Sequence, residues 1–426
     1  MKWEIILTLK IKIMKKSLVL VAMAGVALAG CVNDVADVAQ KEQEKVKIAF
    51  EAPVAYNNVN ETRAEYHGEV GKHQYTENGT IYTYPREEDF VIYAVKHNGD
   101  FAGWNNATNF TGLNADIAEF DETVGGWAPK DANGQYYVWP SEPNTKLSFA
   151  AYSPADLEQE TEWTGTVTYS DEGLKITNFC VPSDANNHFD LMFSKRVVNK
   201  TKADIVNVAG RYSGIPLEFQ HALSSIRFSL WNESTTSTVI LKKIEIKGVK
   251  YKGTFTESIS ENKEAIGFDK YVRVTTDTEN VINVEPSWTV TNDIIQNDEN
   301  VTGYVAFEGE LQFPTSPEYI ADIDDPDNPQ HDILLVMPQS LTVDATLYVT
   351  YNVGGVDVPK SFALSSANIL DSDGKETSNT LSQWVMGNRY TYRLHYSHEA
   401  SNADRIYFAP STDGWKDAGI AVIELL

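Results

Sequence analysis

The chain has only two cysteines, Cys31 and Cys180, in 426 residues. Two thiols cannot build a disulfide framework, and with Cys31 otherwise engaged Cys180 reads as a small buried hydrophobe. Basic residues are few beside acidic ones: 35 Lys and Arg stand against 60 Asp and Glu, a net charge of −25. Phosphates repel such a surface, which argues against nucleic acid or an anionic membrane face as a partner. Histidine is sparse, with eight scattered along the chain. His395 and His398 are three apart in a strand-like run and would point to opposite faces, so no metal site is expected there. His221, in Phe219-Gln220-His221-Ala222-Leu223, fits a structural histidine bonded to backbone. The acidic loop of Asp322, Asp324, Asp325, Asp327 and Asn328 lacks the glycine and terminal glutamate of an EF-hand and reads as solvated. No GxSxG, HExxH, Walker A loop or strand-following GxGxxG is present. With no nucleophile–base constellation, the chain reads as a non-enzyme without cofactor or metal.

Long apolar runs are missing too. The run Leu18 to Ala29 has 12 residues, against about 20 for a membrane-spanning helix. It follows Lys15 and Lys16 and closes on Leu28-Ala29-Gly30-Cys31, the order of a secretory signal. That ending resembles the bacterial lipobox. The resemblance implies cleavage before Cys31, a diacylglycerol on its thiol and N-acylation, so Cys31 is expected to be an anchor on a membrane. Met14-Lys15-Lys16 begins a normal signal, which leaves residues 1–13 as an upstream extension. Residues 1–31 are thus read as signal peptide and 32–45 as an acidic tether.

Long stripes of helical period are scarce, and short alternating segments are common. Val46-Lys47-Ile48-Ala49-Phe50 puts Val46, Ile48 and Phe50 on one face. Further strands are expected over 90–95, 146–152, 225–230, 240–246, 332–337, 345–351 and 390–396. Gly, Asn, Asp and Pro cluster between them, as at Asn98-Gly99-Asp100 and Gly354-Gly355. No repeat of 20–50 residues is visible. The pattern predicts an all-β chain of two tandem sandwiches, 46–205 and 206–426, with a break near 200–210. Nine tryptophans leave two readings. They fill cores or rims, or Trp104, Trp127 and Trp163 stack on sugars in a surface glycan-binding lipoprotein of a polysaccharide-uptake system.

Several stretches together resemble the fimbrillin family of Bacteroides-type bacteria, the pilins and associated tip and anchor subunits of type V pili. They are the lipobox with one strand and then Glu61-Thr62-Arg63-Ala64; Asp190-Leu191-Met192-Phe193 shortly before Ile215-Pro216-Leu217-Glu218-Phe219-Gln220-His221-Ala222-Leu223; and Gly387-Asn388-Arg389-Tyr390-Thr391-Tyr392 with Ile406-Tyr407-Phe408 and Asp413-Gly414-Trp415 near the end. The resemblance implies transthyretin-like Greek-key sandwiches and a fimbrial subunit that supports adhesion. It implies travel to the outer membrane as a lipoprotein, and cutting by an arginine-specific protease after the first strand. Assembly with other pilin subunits by donor-strand exchange follows, with a host or bacterial surface receptor as a further partner.

The residues offer parts for each step. Asn57 to Glu65 is polar and rich in turn formers, the kind of segment proteases nick. A cut between Arg63 and Ala64 would free the strand of Val46, Ile48 and Phe50 together with Cys31; the alternative is an ordinary loop arginine. The end of the chain, Gly419 to Leu426, alternates as well, with Ile420 and Val422 on one face and Ala421 and Ile423 on the other. It reads either as a donor strand or as the last strand of the second sandwich.

Overall fold

A computed structural model describes residues 47–51, 74–77, 80–83, 89–104, 107–142, 144–157, 163–194, 196–202, 215–217, 219–259, 281–282, 284–291, 293, 303–320, 333–366, 368–370, 376–397, 406–409 and 416–425. Cys31, Val46, Arg63, Ala64, His398 and the acidic loop at 322–328 lie outside the described residues. Among the described residues the longer elements are all strands, and no helix is long and apolar enough to cross a membrane. The alternating segments form strands at Phe90–Asn98, Thr145–Ser153, Ser224–Asn232, Val239–Lys247, Ile333–Val336, Thr346–Val353 and Asn388–Tyr396. Most pairings are antiparallel, and the strands belong to several sheets.

The first sheet follows the path Ile215–Pro216, Phe50–Glu51, Gly126–Pro129, Thr108–Asp121, Phe90–Asn98, Thr145–Ser153, Met192–Ser194, Phe219–His221. Its two end strands are separated in sequence only by Leu217 and Glu218. The path therefore returns on itself as a ring of strands, and a ring this small is filled by its own side chains. Phe50 and Phe149, on strands that are not neighbours, meet at 5.2 Å between ring centres. Phe90 meets Phe219 at 5.1 Å and Trp127 at 6.2 Å.

Phe90–Asn98 explains why its sequence is nearly continuously apolar. Both of its faces are covered, as in strands buried on two sides. Phe90 points into the ring. Val91, Tyr93 and Val95 belong to the main core, where Tyr93 stacks on Tyr169 at 5.1 Å. Tyr169 lies in a four-stranded sheet of Val284–Val290, Lys252–Ile259, Gly173–Cys180 and Val167–Ser170. Phe193 on Phe255 at 5.0 Å is a second contact between the two sheets. Strands from both sides of residue 205 are hydrogen-bonded in both sheets: Gly173–Cys180 pairs with Lys252–Ile259, and Phe50–Glu51 pairs with Ile215–Pro216. A cut at 205/206 would pass through both.

Two more sheets complete the core. One orders Glu318–Tyr319, Ser224–Asn232, Asn388–Tyr396, Lys416–Leu425, Ile406–Ala409, Asn368–Leu370 and Glu376–Thr380, with Ile333–Val336 also on Ser224–Asn232. The other orders Gly303–Gln312, Val239–Lys247, Thr346–Val353 and Val356–Ala363. Tyr351 and Tyr396 touch between them at 6.2 Å. The C-terminal segment takes a last-strand place here. Lys416–Leu425 runs parallel to Asn388–Tyr396 and antiparallel to Ile406–Ala409.

Candidate functional site

The first described strand is held by a short ladder. Phe50 and Glu51 pair in parallel with Ile215 and Pro216, and Phe50 pairs antiparallel with Trp127. Just upstream, Lys47 bridges to Val138. The Ile48 amide donates to the Tyr137 carbonyl at 2.8 Å, and the Ile215 amide donates to the Ala49 carbonyl at 2.9 Å. Pro216 has no N–H to add. Each such main-chain bond contributes about 1 kcal/mol net.

Side chains hold the strand more firmly. Ile48 and Phe50 are completely buried, and burying an Ile or Phe contributes about 1.5–3 kcal/mol. The Phe50 ring sits edge-on between Phe90 at 6.1 Å and Phe149 at 5.2 Å. The Lys47 ammonium lies 3.9 Å from the centre of the Tyr136 ring, a cation–π contact. On the Trp127 side the neighbouring backbone comes so close that only glycine fits. A Cβ on Gly126 would stand 2.7 Å from the Phe50 carbonyl oxygen. If this strand left, Ile215–Pro216 and Gly126–Pro129 would present unpaired edges flanking an aromatic slot. An open edge of this kind accepts another strand through main-chain bonds, with alternate side chains filling pockets.

Of the residues expected to act as the displaced strand, Ile48 and Phe50 are brought into this slot. Cys31, Val46, Arg63 and Ala64 lie outside the described residues. Ile420, Val422 and Ile423 are placed in the Lys416–Leu425 strand of another sheet. The tryptophans offered as sugar platforms are a correction. Trp104, Trp127 and Trp163 are 6%, 2% and 7% exposed, so none presents a face to a glycan. Trp127 lines the ring, and the Trp163 indole N–H donates to the Thr177 carbonyl at 2.9 Å. Composition counts large aromatics without saying which way they face, and their apolar area drives them inward.

Several other polar groups are buried among the described residues. His221 Nδ1 lies 2.6 Å from the Asp190 carboxylate. His395 stacks flat on Trp231 at 3.9 Å, and burial holds its pKa down against the pull of Glu233. No group of three or more metal-ligating side chains gathers among the described residues. The least foreseen feature is a buried ion pair between the ring sheet and the sheet that covers it. Arg196 Nε lies 3.5 Å from Glu257 Oε1, with side chains 0% and 1% exposed. The guanidinium donates to the Ser170 carbonyl at 3.2 Å and lies 4.9 Å from the Tyr169 ring centre. Burial pushes Glu257 up to about 7, with Arg196 pulling the other way.

A model of the family described as Fimbrillin-like matches residues 86–406. The chain belongs to the Fimbrillin-like family. No curated protein sequence matches it. This fimbrillin-like chain is similar to a solved candidate cell adhesion protein of Bacteroides uniformis, at 16% identity over 83% of this chain and 94% of that one, with a TM-score of 0.40. A candidate cell adhesion protein of Bacteroides ovatus matches at 12% identity over 83% and 92%, with a TM-score of 0.35. One of Bacteroides fragilis matches at 11% identity over 89% and 96%, with a TM-score of 0.29.

Proposed function

We propose that the chain is a structural subunit of a cell-surface fimbria, exported as an outer-membrane lipoprotein anchored at Cys31 and built from two transthyretin-like sandwiches. An arginine-specific protease cuts between Arg63 and Ala64 and frees the strand of Val46, Ile48 and Phe50 with its lipid. A neighbouring pilin subunit then supplies a strand to the vacated seat, and the resulting fibre supports adhesion to a host or bacterial surface. Until the cut, the chain's own strand keeps subunits from joining.

The observation that carries this reading is the seat itself. A strand near the N-terminus, with only a two-residue ladder, fills a slot whose walls are already formed by other strands. Family membership supports it. The test is limited digestion of the full chain with an arginine-specific protease, followed by N-terminal sequencing and light scattering. Cleavage before Ala64 should convert monomers into a ladder of oligomers, while Arg63→Gln protein should stay monomeric. Clean cleavage before Ala64 that leaves only monomers would overturn the reading.

A further inference from the structure

We infer that the strand received by this seat is Ile406–Ala409 of a second copy of the chain, with Ile406 and Phe408 taking the places of Ile48 and Phe50. The inference rests on the donor-strand reading above and names its donor.

The seat sets three demands, read from what occupies it. It buries an Ile and, two residues on, a Phe, both completely. It places a cation over the Tyr136 ring just before them. The pattern is therefore basic-Ile-x-Phe. Four Ile-x-Phe triplets occur in the chain, beginning at Ile48, Ile226, Ile266 and Ile406. Only those at Ile48 and Ile406 follow a basic residue, Lys47 and Arg405. Both are soon followed by Ala-Pro: Ala52-Pro53 in one case, Ala409-Pro410 in the other. The Ile226 triplet is locked in the middle of a sheet, paired on one side with Asn388–Tyr396 and on the other with Ile333–Val336.

Ile406–Ala409 is better suited to leave. It is a four-residue strand between Lys416–Leu425 and Asn368–Leu370, and on the second side only Tyr407 and Phe408 are paired, against the nine-residue strand that carries the Ile226 triplet. The terminal segment Gly419 to Leu426 is the competing donor, and it holds no aromatic residue. A Val or Ile in the place of Phe50 would leave part of the space between Phe90 and Phe149 empty, at the cost that accompanies any core cavity. An Arg405 guanidinium suits the face of Tyr136 as well as the Lys47 ammonium does. The two segments differ at their middle residue. Ala49 is 4% exposed, and Tyr407 is far larger, so the match predicts that the tyrosine hinders rather than helps.

The experiment uses the full chain, cut before Ala64 and incubated with an excess of labelled peptide, with retention read by gel filtration. Peptide 45–53 reports whether the seat opens. Peptide 403–412 should be retained roughly tenfold or more tightly than peptide 417–426. Its Phe408→Ala form should fall to the level of 417–426, and its Tyr407→Ala form should bind at least as well as the parent. Retention of 45–53 and 417–426 without 403–412 would overturn this inference and leave donor-strand assembly standing. So would equal retention of 403–412 and its Phe408→Ala form. Failure of every peptide, 45–53 included, would overturn the donor-strand reading and this inference with it.

Discussion

Phe50→Ala is expected to lower the unfolding free energy of the uncut protein by about 3–5 kcal/mol and to let it assemble without protease. The ring of Phe50 is completely buried and its neighbours Phe90 and Phe149 belong to strands fixed by their own long ladders. These walls cannot collapse onto a missing ring, so the cavity persists and its cost is near the top of the range for such truncations. The ladder that remains is two residues long, too little to hold the strand once its main anchor is gone. The seat then opens part of the time, and the open state exposes two strand edges at once. Urea denaturation measures the first effect, and light scattering of protease-free protein measures the second. Lys47→Ala is the control: the cation–π contact it removes is worth about 0.5–1 kcal/mol, and the protein should remain monomeric. An uncut Phe50→Ala protein that stays monomeric would mean that the anchor does not hold the strand in place.

The strands themselves were legible in the sequence, because alternation of apolar and polar residues is a local property. Phe90 to Val95 was expected only as a further strand; that both its faces are covered, which its lack of any polar interruption fits, came from the structure. The ring was not legible. It depends on Phe50 lying beside Ile215 and on Phe219–His221 pairing with Met192–Ser194, and no local pattern records which distant segments pair. The same limit hid the sharing of strands across residue 205, since Ile176 meets Phe255 through a register that neither segment shows alone. Arg196 was missed for a different reason. In Arg196-Val197-Val198-Asn199-Lys200 a charge at the strand start looks like a solvated face, and its partner Glu257 lies far along the chain. Gly126 gave no sign either, because its requirement comes from the backbone of a strand outside its neighbourhood.

That buried pair makes the second large effect, and the effect should be asymmetric. Above pH 7, where Glu257 is ionised, Glu257→Leu strands a guanidinium that cannot lose its proton, and removing one partner of a buried pair costs about 3–5 kcal/mol. Arg196→Met strands a carboxyl that can take up a proton, so its cost should be small below pH 6 and grow above pH 7. The double variant Arg196→Met/Glu257→Leu, which replaces both charges with apolar groups, should lie close to the parent. The pH dependence of the parent has a definite sign. Folding raises Glu257 from an ordinary 4.5 to about 7, so folding favours the protonated form. The stability it contributes is full below pH 4.5 and is lost as pH rises through 7. With about 1.4 kcal/mol per pH unit, the loss over that window is on the order of 3 kcal/mol. Denaturation curves at half-unit steps from pH 4.5 to 8 measure all four proteins, and this component of the slope should vanish in both variants that lack Glu257. An Arg196→Met loss that stays flat between pH 6 and 8 would contradict this account, because the stranded carboxyl should ionise, and cost more, as pH rises over that window.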